Sequence, residues 1–343
     1  MENTIVGVDL AKNVIQVCVF TNKKVLSNTE MTPSEFIGFL ANSQALTIVF
    51  EACGTSNYWK RTANDLGHDA RLISAKLVSA VRQNQKTDKN DALAIVQATL
   101  LPEVTFISGK SIEQQQLQSI MRLRELAVKQ KTAAGNQIKS LLLELNIKVS
   151  NRGGGMKSAI ERTLEDAENG LTAEFRSALD IAWQQYILIL KSINEYDNCL
   201  EKSIESHSEC KKLLKLEGVG TLNAINLYIA LGCAELGVFE KGKDASACIG
   251  LTPIQYSSGG KTKLGSIGKY VKNSLLRSQL ITGAMSAVSH ASNREPITTK
   301  DRWIQSMVER RGKKCTAVAL ANKTVRTAYA MLTQNTEYKA ELI

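Results

Sequence analysis

Four acidic residues near the N-terminus have the types and spacing needed to hold metal ions. Asp9 interrupts "IVGVDL", a run that otherwise alternates as a β-strand does, and Glu51 ends a second apolar run, "ALTIVFE". Asp88 and Asp91 follow in "KTDKNDALAI", three residues apart, so that both side chains point from one face of a helix. Strand ends and a neighbouring helix can bring such groups to one crevice.

Carboxylates gathered in one place repel each other unless cations neutralise them. Hard oxygen ligands suit Mg²⁺ or Mn²⁺, and two such ions stabilise the attacking and leaving oxygens of a phosphoryl transfer. Each acid alone has a plain explanation, with Asp88 as a helix N-cap and Asp91 as a surface residue. The four together resemble the RNase H-like nuclease fold in its Holliday-junction-resolvase (RuvC-like) branch.

A second motif, "YSSGGKTKLGSIGKY", places Ser257 and Ser258 beside glycines and cations. A serine in such a stretch can simply belong to a flexible loop. Where cations surround it, the serine can instead attack a phosphodiester, because positive charge favours the alkoxide and the pentacoordinate phosphate. No histidine lies nearby to act as a base, so activation would come from metal or lysine. The candidate phosphate-binding cations are Lys261, Lys263, Lys269, Lys272 and Arg277.

The N-terminal third has the pattern of a mixed sheet with helices packed on it. A capping box marks one helix start, with Thr32 as N-cap, Pro33 at the first helical position and Glu35 at the third. The predicted elements are strands at 4–10, 14–20, 23–29, 45–51 and "DARLIS", and further helices at "NYWKRTANDLG" and 88–101. The predicted fold class of this domain is α/β, RNase H-like (RuvC-like).

The middle of the chain is predicted to be helical. A long basic helix at 112–147 carries four candidate contacts to nucleic-acid phosphates, for which a solvated helix face is the alternative explanation. They are Arg122, Arg124, Lys129 and Lys131. After the glycine-rich "NRGGGMKS", residues 156–214 have the three- and four-residue spacing of a helical hairpin or coiled-coil arm, or of a solvated helical spacer.

The C-terminal region is predicted to be mainly α. "LLKLEGVGTLNAINLYIALG" has the glycine-bracketed turn of a helix–hairpin–helix, in which backbone N–H groups near Gly218 and Gly220 can hold a DNA phosphate. Helices are predicted at 273–289, 299–311 and 315–334. We therefore predict a RuvC-like metal-binding domain with its long basic helix at 1–150, a coiled-coil linker at 151–212 and a C-terminal domain at 213–343.

The composition agrees with a protein that binds nucleic acid. The net charge of +10 over 343 residues favours polyanionic partners, although a solvated lysine surface would give the same number. Seven cysteines without a CxxC pair, and no signal peptide or transmembrane run, predict a cytoplasmic protein away from the membrane. Three histidines leave little material for histidine-based catalysis.

Six motifs together resemble a known family, the DEDD-type insertion-sequence transposases, which are bridge-RNA-guided serine recombinases. The resemblance covers nearly the whole chain. In chain order the motifs are "GVDLAKN", "FEACGTS", "KTDKNDALAI", "LEGVGTLNA", "CIGLTPIQYSSGG" and "ALANKTVRTAYAML". One departure is Cys53, where many members have threonine.

The resemblance implies a mechanism and partners. Asp9, Glu51, Asp88 and Asp91 would bind Mg²⁺ or Mn²⁺, and Ser258 would attack DNA to form a covalent 5′-phosphoserine, with neighbouring Ser257 as the alternative. The metal site of one subunit would serve the serine of another, in a homodimer that assembles to a tetramer. A structured noncoding guide RNA would pair with target and donor DNA, in the bacterial cytoplasm at the nucleoid.

Three other functions fit parts of the sequence. A metal-dependent, structure-specific endonuclease that uses water keeps the four acids but leaves "SSGG" without a role. A sugar-kinase-like ATPase would need a second phosphate hairpin and an adenosine motif, which are not found. A non-enzymatic DNA-bridging protein would bind without metal, with an affinity that falls steeply in salt.

Overall fold

The computed structural model describes residues 4–149, 155–234, 238–268, 271 and 273–342. The chain divides into two compact units, one formed by 1–114 with 209–343 and the other by 115–208. The long basic helix, which the sequence places in the N-terminal domain, thus belongs mostly to the second unit. The domain boundaries at 150 and 212 stay predictions.

A five-stranded mixed sheet forms the N-terminal part of the first unit. Its strands are β1 (Ile5–Leu10), β2 (Ile15–Thr21), β3 (Lys24–Met31), β4 (Thr47–Glu51) and β5 (Asp69–Ile73), in the order β3-β2-β1-β4-β5. β1, β2 and β3 pair antiparallel, whereas β4 runs parallel to β1 and β5 parallel to β4. The predicted mixed α/β sheet domain is confirmed.

Helices cover both faces of this sheet. They are α1 (Pro33–Asn42), α2 (Ser56–Asp65), α3 (Ala75–Val81) and α4 (Asp88–Thr99). The predicted Thr32–Glu35 capping box begins α1. One face packs Val6 and Val8 against Phe36 of α1, and the other packs Val49 against Ile95 of α4. Because strand side chains alternate between faces, residues 7 and 9 of β1 lie on the α4 side.

The second unit is helical and contains α6 (Gly155–Glu165), α7 (Ala173–Glu205) and all but the first three residues of α5 (Ile112–Glu144). Its core contains Ile138, Leu142, Ile160, Leu179 and Trp183. Gly135 of α5 lets the Tyr186 ring of α7 approach, since a Cβ at residue 135 would lie 3.2 Å from that ring. The helical stretch predicted at 156–214 is real, but turns divide it into α6, α7 and α8 (Ser208–Leu213).

The C-terminal part of the first unit is mainly helical, as predicted. It contains α9 (Thr221–Leu227), a π-helical segment (Tyr228–Gly232), α10 (Gly242–Cys248), α11 (Ser274–Ala291) and α12 (Thr299–Gln334). Gly312, with φ 76° and ψ 162°, interrupts α12 and separates the two helices predicted at 299–311 and 315–334. The stretch around the serines, open to a loop explanation from its sequence, instead forms a hairpin of β6 (Pro253–Ser258) and β7 (Lys261–Ile267).

The turn between α8 and α9 is held by close packing on α11. Gly218 has φ +76°, and a Cβ on Gly283 would lie 2.1 Å from the Gly218 carbonyl oxygen. Asn223 of α9 donates to that oxygen at 3.3 Å and to the Gln279 carbonyl at 3.2 Å. Of the helices described, none is long and apolar enough to cross a membrane.

Candidate active site

The parallel pairing of β1 with β4 brings the first two acids side by side. Val8 pairs with Phe50 in this register, and Asp9 and Glu51 each follow that pair by one residue. Both carboxylates therefore lie at the same end of adjacent parallel strands, as the sequence predicts. Both are partly buried.

A close approach between β1 and α4 brings the other two acids to this point. A Cβ on Gly7 would lie 2.5 Å from the Ala92 carbonyl oxygen and 2.7 Å from Val96 Cγ2. At Gly7 the helix thus packs directly on the strand backbone, because the strand has no side chain there. Asp88 and Asp91 are in the first turn of α4, on the same side of the sheet as Asp9.

The electrostatics show that these carboxylates interact. Burial raises the pKa of Asp9, and the charges of Asp91 and Asp88 raise it further. Burial likewise raises the pKa of Glu51, with added effects from Asp9 and Asp91. Lys86 opposes both shifts. Asp9 is thus linked electrostatically to each of the other three acids that the sequence singles out.

An arginine that sequence reasoning missed is bound to this cluster. Arg82, the residue that follows α3, donates from Nη1 to Asp91 Oδ1 at 2.7 Å, with side chains 21% and 10% exposed. Across the residues described, no three His, Cys, Asp or Glu side chains are arranged to hold a metal ion. The donor set still fits a hard divalent cation, because it consists of carboxylates, of which Asp91 is buried, Asp9 and Glu51 are partly buried and Asp88 is exposed, and such a cation neutralises their charge.

A polar network behind Asp9 was also missed. Gln16 of β2 pairs with Asp9 across the antiparallel strands and is 1% exposed. Its Nε2 donates to Asn28 Oδ1 at 2.8 Å, and Asn28 Nδ2 donates to the Lys89 carbonyl at 2.9 Å. This chain ties the start of α4 to the sheet. A polar residue in an otherwise buried strand is the only signal for it in the sequence.

The hairpin presents Ser258 at its tip. Gly259 and Gly260 connect the strands with φ of +55° and +77°, the backbone that a type I′ turn requires at both central residues. Ser258 therefore pairs with Lys261 directly across the turn. All residues of the two strands except Ile254 are exposed, so the hydroxyl is open to a large ligand.

The register separates the two serines onto opposite faces. Tyr256 pairs with Lys263, and Ser257 pairs with Thr262. Side chains directly opposite each other share a face, and successive residues alternate. One face thus carries Ser258, Lys261, Tyr256 and Lys263, and Ser257 lies on the other.

Comparisons with known proteins match the two parts of the chain that carry these features. A family model of the DEDD transposase domain, described as "Transposase", matches residues 6–147, and a second, "Transposase IS116/IS110/IS902 family", matches 210–298. A transposase for insertion sequence element IS1111A from Coxiella burnetii is 32% identical over 336 residues, covering 98% of this chain and 91% of the relative. The chain belongs to the IS116/IS110/IS902 family of transposases.

Two further relatives can be aligned with nearly the whole chain. A probable family 20 transposase from Pseudomonas aeruginosa is 31% identical, over 97% of this chain and 98% of the relative. A pilin gene-inverting protein from Moraxella bovis is 24% identical, over 98% of this chain and 97% of the relative. The chain is thus an insertion-sequence transposase, and the family implies an enzyme that modifies DNA.

The cations predicted near the serine have different environments in the transposase. Lys261 and Lys263 lie on the Ser258 face of the hairpin, whereas Lys269 and Lys272 lie outside the described residues. Arg277 of α11 donates from Nε to the Gly250 carbonyl at 3.0 Å, and its guanidinium would be 2.7 Å from a Cβ on Gly268. Its observed contacts therefore brace the two ends of the hairpin segment.

The candidate contacts on α5 also differ from one another. Arg124 forms an ion pair with Asp197 of α7, with Nη2 to Oδ2 at 3.2 Å, so its observed role is to join two helices of the second unit. Arg122 and Lys129 are exposed, and Lys131 is partly exposed. Gly218 and Gly220 flank the tight turn before α9, where Gly220 is the N-cap residue.

Proposed function

We propose that this transposase cuts and rejoins DNA through a covalent 5′-phosphoserine on Ser258, assisted by Mg²⁺ or Mn²⁺ at Asp9, Glu51, Asp88 and Asp91. The observation that carries the proposal is the hairpin: Ser258 lies at an exposed tip, on the same face as Lys261 and Lys263. Two cations beside the hydroxyl favour both its alkoxide and the charge that develops on an attacked phosphate. Ser257 lacks this environment.

The chemistry is a transesterification. The Ser258 oxygen bonds to the phosphorus, the bond from phosphorus to the 3′-oxygen breaks, and the serine proton ends on that oxygen. Lys261 and Lys263 orient the phosphate and offset its negative charge. When bound, divalent cations would supply charge stabilisation for the attacking and leaving oxygens. Attack of another strand's 3′-hydroxyl on the phosphoserine reverses the step and rejoins DNA without a loss of bond energy.

The partners follow from the family resemblance and the charge. Target and donor DNA would be the substrates, and a structured noncoding RNA would select them by base pairing. An exposed hairpin tip suits delivery of Ser258 to the acids of another subunit, in a homodimer that assembles to a tetramer. The helix–hairpin–helix turn at Gly218 and Gly220 and the exposed cations of α5 would bind phosphates. The name of the Moraxella bovis relative, a gene-inverting protein, supports an activity that rejoins what it cuts.

A mixing experiment tests the proposal. Asp9→Asn and Ser258→Ala proteins should each be inactive in strand exchange with Mg²⁺, donor and target DNA, and the RNA transcribed from the element. If acids and serine act from different subunits, the mixture regains part of the wild-type rate. Retained exchange in the Ser258→Ala protein alone would contradict the proposal. A mixture that stays inactive would contradict the shared active site.

A second candidate is a metal-dependent, structure-specific endonuclease that uses water. The observation in its favour is that the charges of Asp88 and Asp91 raise the pKa of Asp9, and those of Asp9 and Asp91 raise the pKa of Glu51, without any contribution from the hairpin. On branched DNA, this function predicts metal-dependent nicking that survives Ser258→Ala and leaves no protein attached to the DNA.

A further inference from the structure

A groove lies at the base of the hairpin, on the α12 side, at the end opposite to Ser258. Pro253 and Ile267, which pair at the base of the hairpin, form one wall, and α12 forms the other. The cavity has a volume of about 530 Å³, a size that suits one small ligand or nucleotide. Its apolar lining includes Leu251, Val318 and Ala319.

Cations surround this apolar lining. Lys314, Lys323 and Arg326 of α12 line the groove, and none of the lining residues described is acidic. The Lys323 ammonium lies 4.6 Å from the centroid of the Trp303 ring, which is also part of the groove. The Asn322 side chain donates to the Leu251 carbonyl at 3.0 Å and so fixes the groove floor to α12.

We propose that this groove binds an unstacked base of single-stranded DNA, with the flanking phosphates on Lys314, Lys323 and Arg326. An aromatic ring and apolar walls beside a cationic edge are the elements with which proteins bind single strands of any sequence. The absence of acidic side chains among the described lining residues argues against a basic peptide as occupant. The groove is distinct from the carboxylate cluster and from the Ser258 face.

The choice of DNA rests on the proposed function, which places Ser258 at a DNA phosphate. Pro253 and Ser258 are five residues apart on one strand, or about 17 Å at the rise of a β-strand. A DNA strand that runs along the hairpin would cover this distance in about five stacked nucleotides. The groove would thus hold a base a few nucleotides from the cut and keep the broken strand from leaving.

Tryptophan fluorescence gives a direct test. Of the three tryptophans, Trp59 and Trp183 are buried, at 7% and 6% exposure, and Trp303 is partly exposed. Full-length Ser258→Ala protein is titrated with a mixed-sequence single-stranded oligodeoxynucleotide in EDTA. We expect saturable quenching that Trp303→Phe abolishes while affinity, measured by anisotropy, stays within about twofold. Trp303→Ala should weaken binding about tenfold or more, because the stacking surface is lost.

The outcomes separate this inference from the proposed function. Binding in EDTA needs neither metal nor serine. If the Trp303→Ala protein binds DNA with normal affinity and still forms the covalent adduct, only the assignment of the groove is wrong. If DNA quenches Trp303 fluorescence but no covalent protein–DNA adduct forms with Mg²⁺ present, only the proposed serine chemistry is wrong. Quenching that persists in Trp303→Phe overturns the assignment of the base to this groove. An RNA oligonucleotide that binds more tightly than DNA of the same sequence overturns the choice of DNA.

Cysteine labelling distinguishes DNA from a second copy of the chain. Cys315 lines the groove and is exposed, and Cys199 on α7 is an exposed reference. DNA should slow maleimide labelling at Cys315 relative to Cys199, as measured by peptide mass spectrometry. If labelling at Cys315 instead slows as the protein concentration rises in the absence of DNA, the groove is a contact between two copies of the chain, and the inference is wrong.

Discussion

The backbone of Gly7 in β1 touches α4 at Ala92, so closely that a Cβ on Gly7 would lie 2.5 Å from the Ala92 carbonyl oxygen. This contact sets the distance between a strand that carries Asp9 and a helix that carries Asp88 and Asp91. The carboxylate cluster therefore depends on a residue that has no chemistry of its own.

Replacing Gly7 with alanine should separate these elements. The added methyl group cannot be accommodated by a flexible neighbour, because the nearest atom is backbone, and such overpacking costs about 1–3 kcal/mol of unfolding free energy. We expect weaker Mn²⁺ binding in isothermal titration calorimetry. The matched control is Gly38→Ala in α1, where a Cβ would meet nothing within 4 Å. Wild-type Mn²⁺ affinity in Gly7→Ala would contradict this account of the site.

Arg82 acts as the counter-ion of Asp91 when no metal is bound. Arg82→Ala removes the 2.7 Å ion pair and leaves Asp91 next to other carboxylates, which should lower stability without metal by about 1–3 kcal/mol. Mg²⁺ should then raise Tm more in the variant than in the wild type, because the cation replaces the lost charge. Differential scanning fluorimetry with and without Mg²⁺ measures both effects.

The control is an ion pair away from the acids. Arg71 and Asp69 form an exposed pair, with side chains 41% and 53% exposed. Arg71→Ala should leave the increase in Tm on adding Mg²⁺ at the wild-type value. If Arg82→Ala also leaves that increase unchanged, Arg82 does not share Asp91 with a cation.

Lys129 and Arg124, two basic residues of α5, should respond differently to substitution. Lys129→Ala removes an exposed charge and should reduce the slope of log affinity against log salt by about one for one lost phosphate contact. Arg124→Ala breaks the ion pair with Asp197 and should instead lower Tm, with little change in the salt slope. Filter binding at several salt concentrations, beside thermal unfolding, separates them. A smaller slope in Arg124→Ala with unchanged Tm would assign it to nucleic acid.

Acid should destabilise the C-terminal part through Asp301. Burial raises the pKa of this carboxyl, but hydrogen bonds from the Ile297 and Thr298 backbone and from Arg294 outweigh burial and lower it. A lowered folded-state pKa gives stability that is present above the ordinary pKa of 3.8 and is lost as pH falls through the folded-state value. Asp301→Asn should therefore flatten the loss of stability below pH 4, measured by urea unfolding at several pH values.

Glu35 provides the comparison for Asp301. It holds the same position in the capping box of α1, and the Thr32 backbone lowers its pKa, but it is exposed. Glu35→Gln should therefore change the pH dependence of the unfolding free energy less than Asp301→Asn does. An equal change in both variants would assign the effect to capping in general and not to the ion pair of buried Asp301 with Arg294.

The local patterns of the sequence predicted the N-terminal sheet and the strands and helix that carry its acids. Alternation identified β1 and β2, the capping box identified α1, and the i, i+3 spacing placed Asp88 and Asp91 on one helix face. Parallel pairing then brings the ends of β1 and β4 together. These features depend on short-range periodicity and on the general geometry of parallel strands, which a single sequence contains.

What the sequence could not predict depends on contacts between distant residues. The pairing of Arg124 with Asp197 spans 73 positions, and the groove combines residues from 251 to 326. The serine hairpin was missed for a different reason: its strands are rich in serine, lysine and glycine and have no buried face. The type I′ turn at Gly259 and Gly260, both with positive φ, is consistent with its register.

Ser258 and Ser257 lie on opposite faces of the hairpin, so that substituting each in turn tests most directly whether Ser258 is the nucleophile. End-labelled DNA is incubated with protein, Mg²⁺ and the element's RNA, and then run on a denaturing gel. We predict a protein–DNA adduct that survives denaturation, disappears in Ser258→Ala and persists in Ser257→Ala, since Ser257 lies on the opposite face. An adduct that persists in Ser258→Ala, or cleavage that leaves no adduct at all, would contradict this prediction.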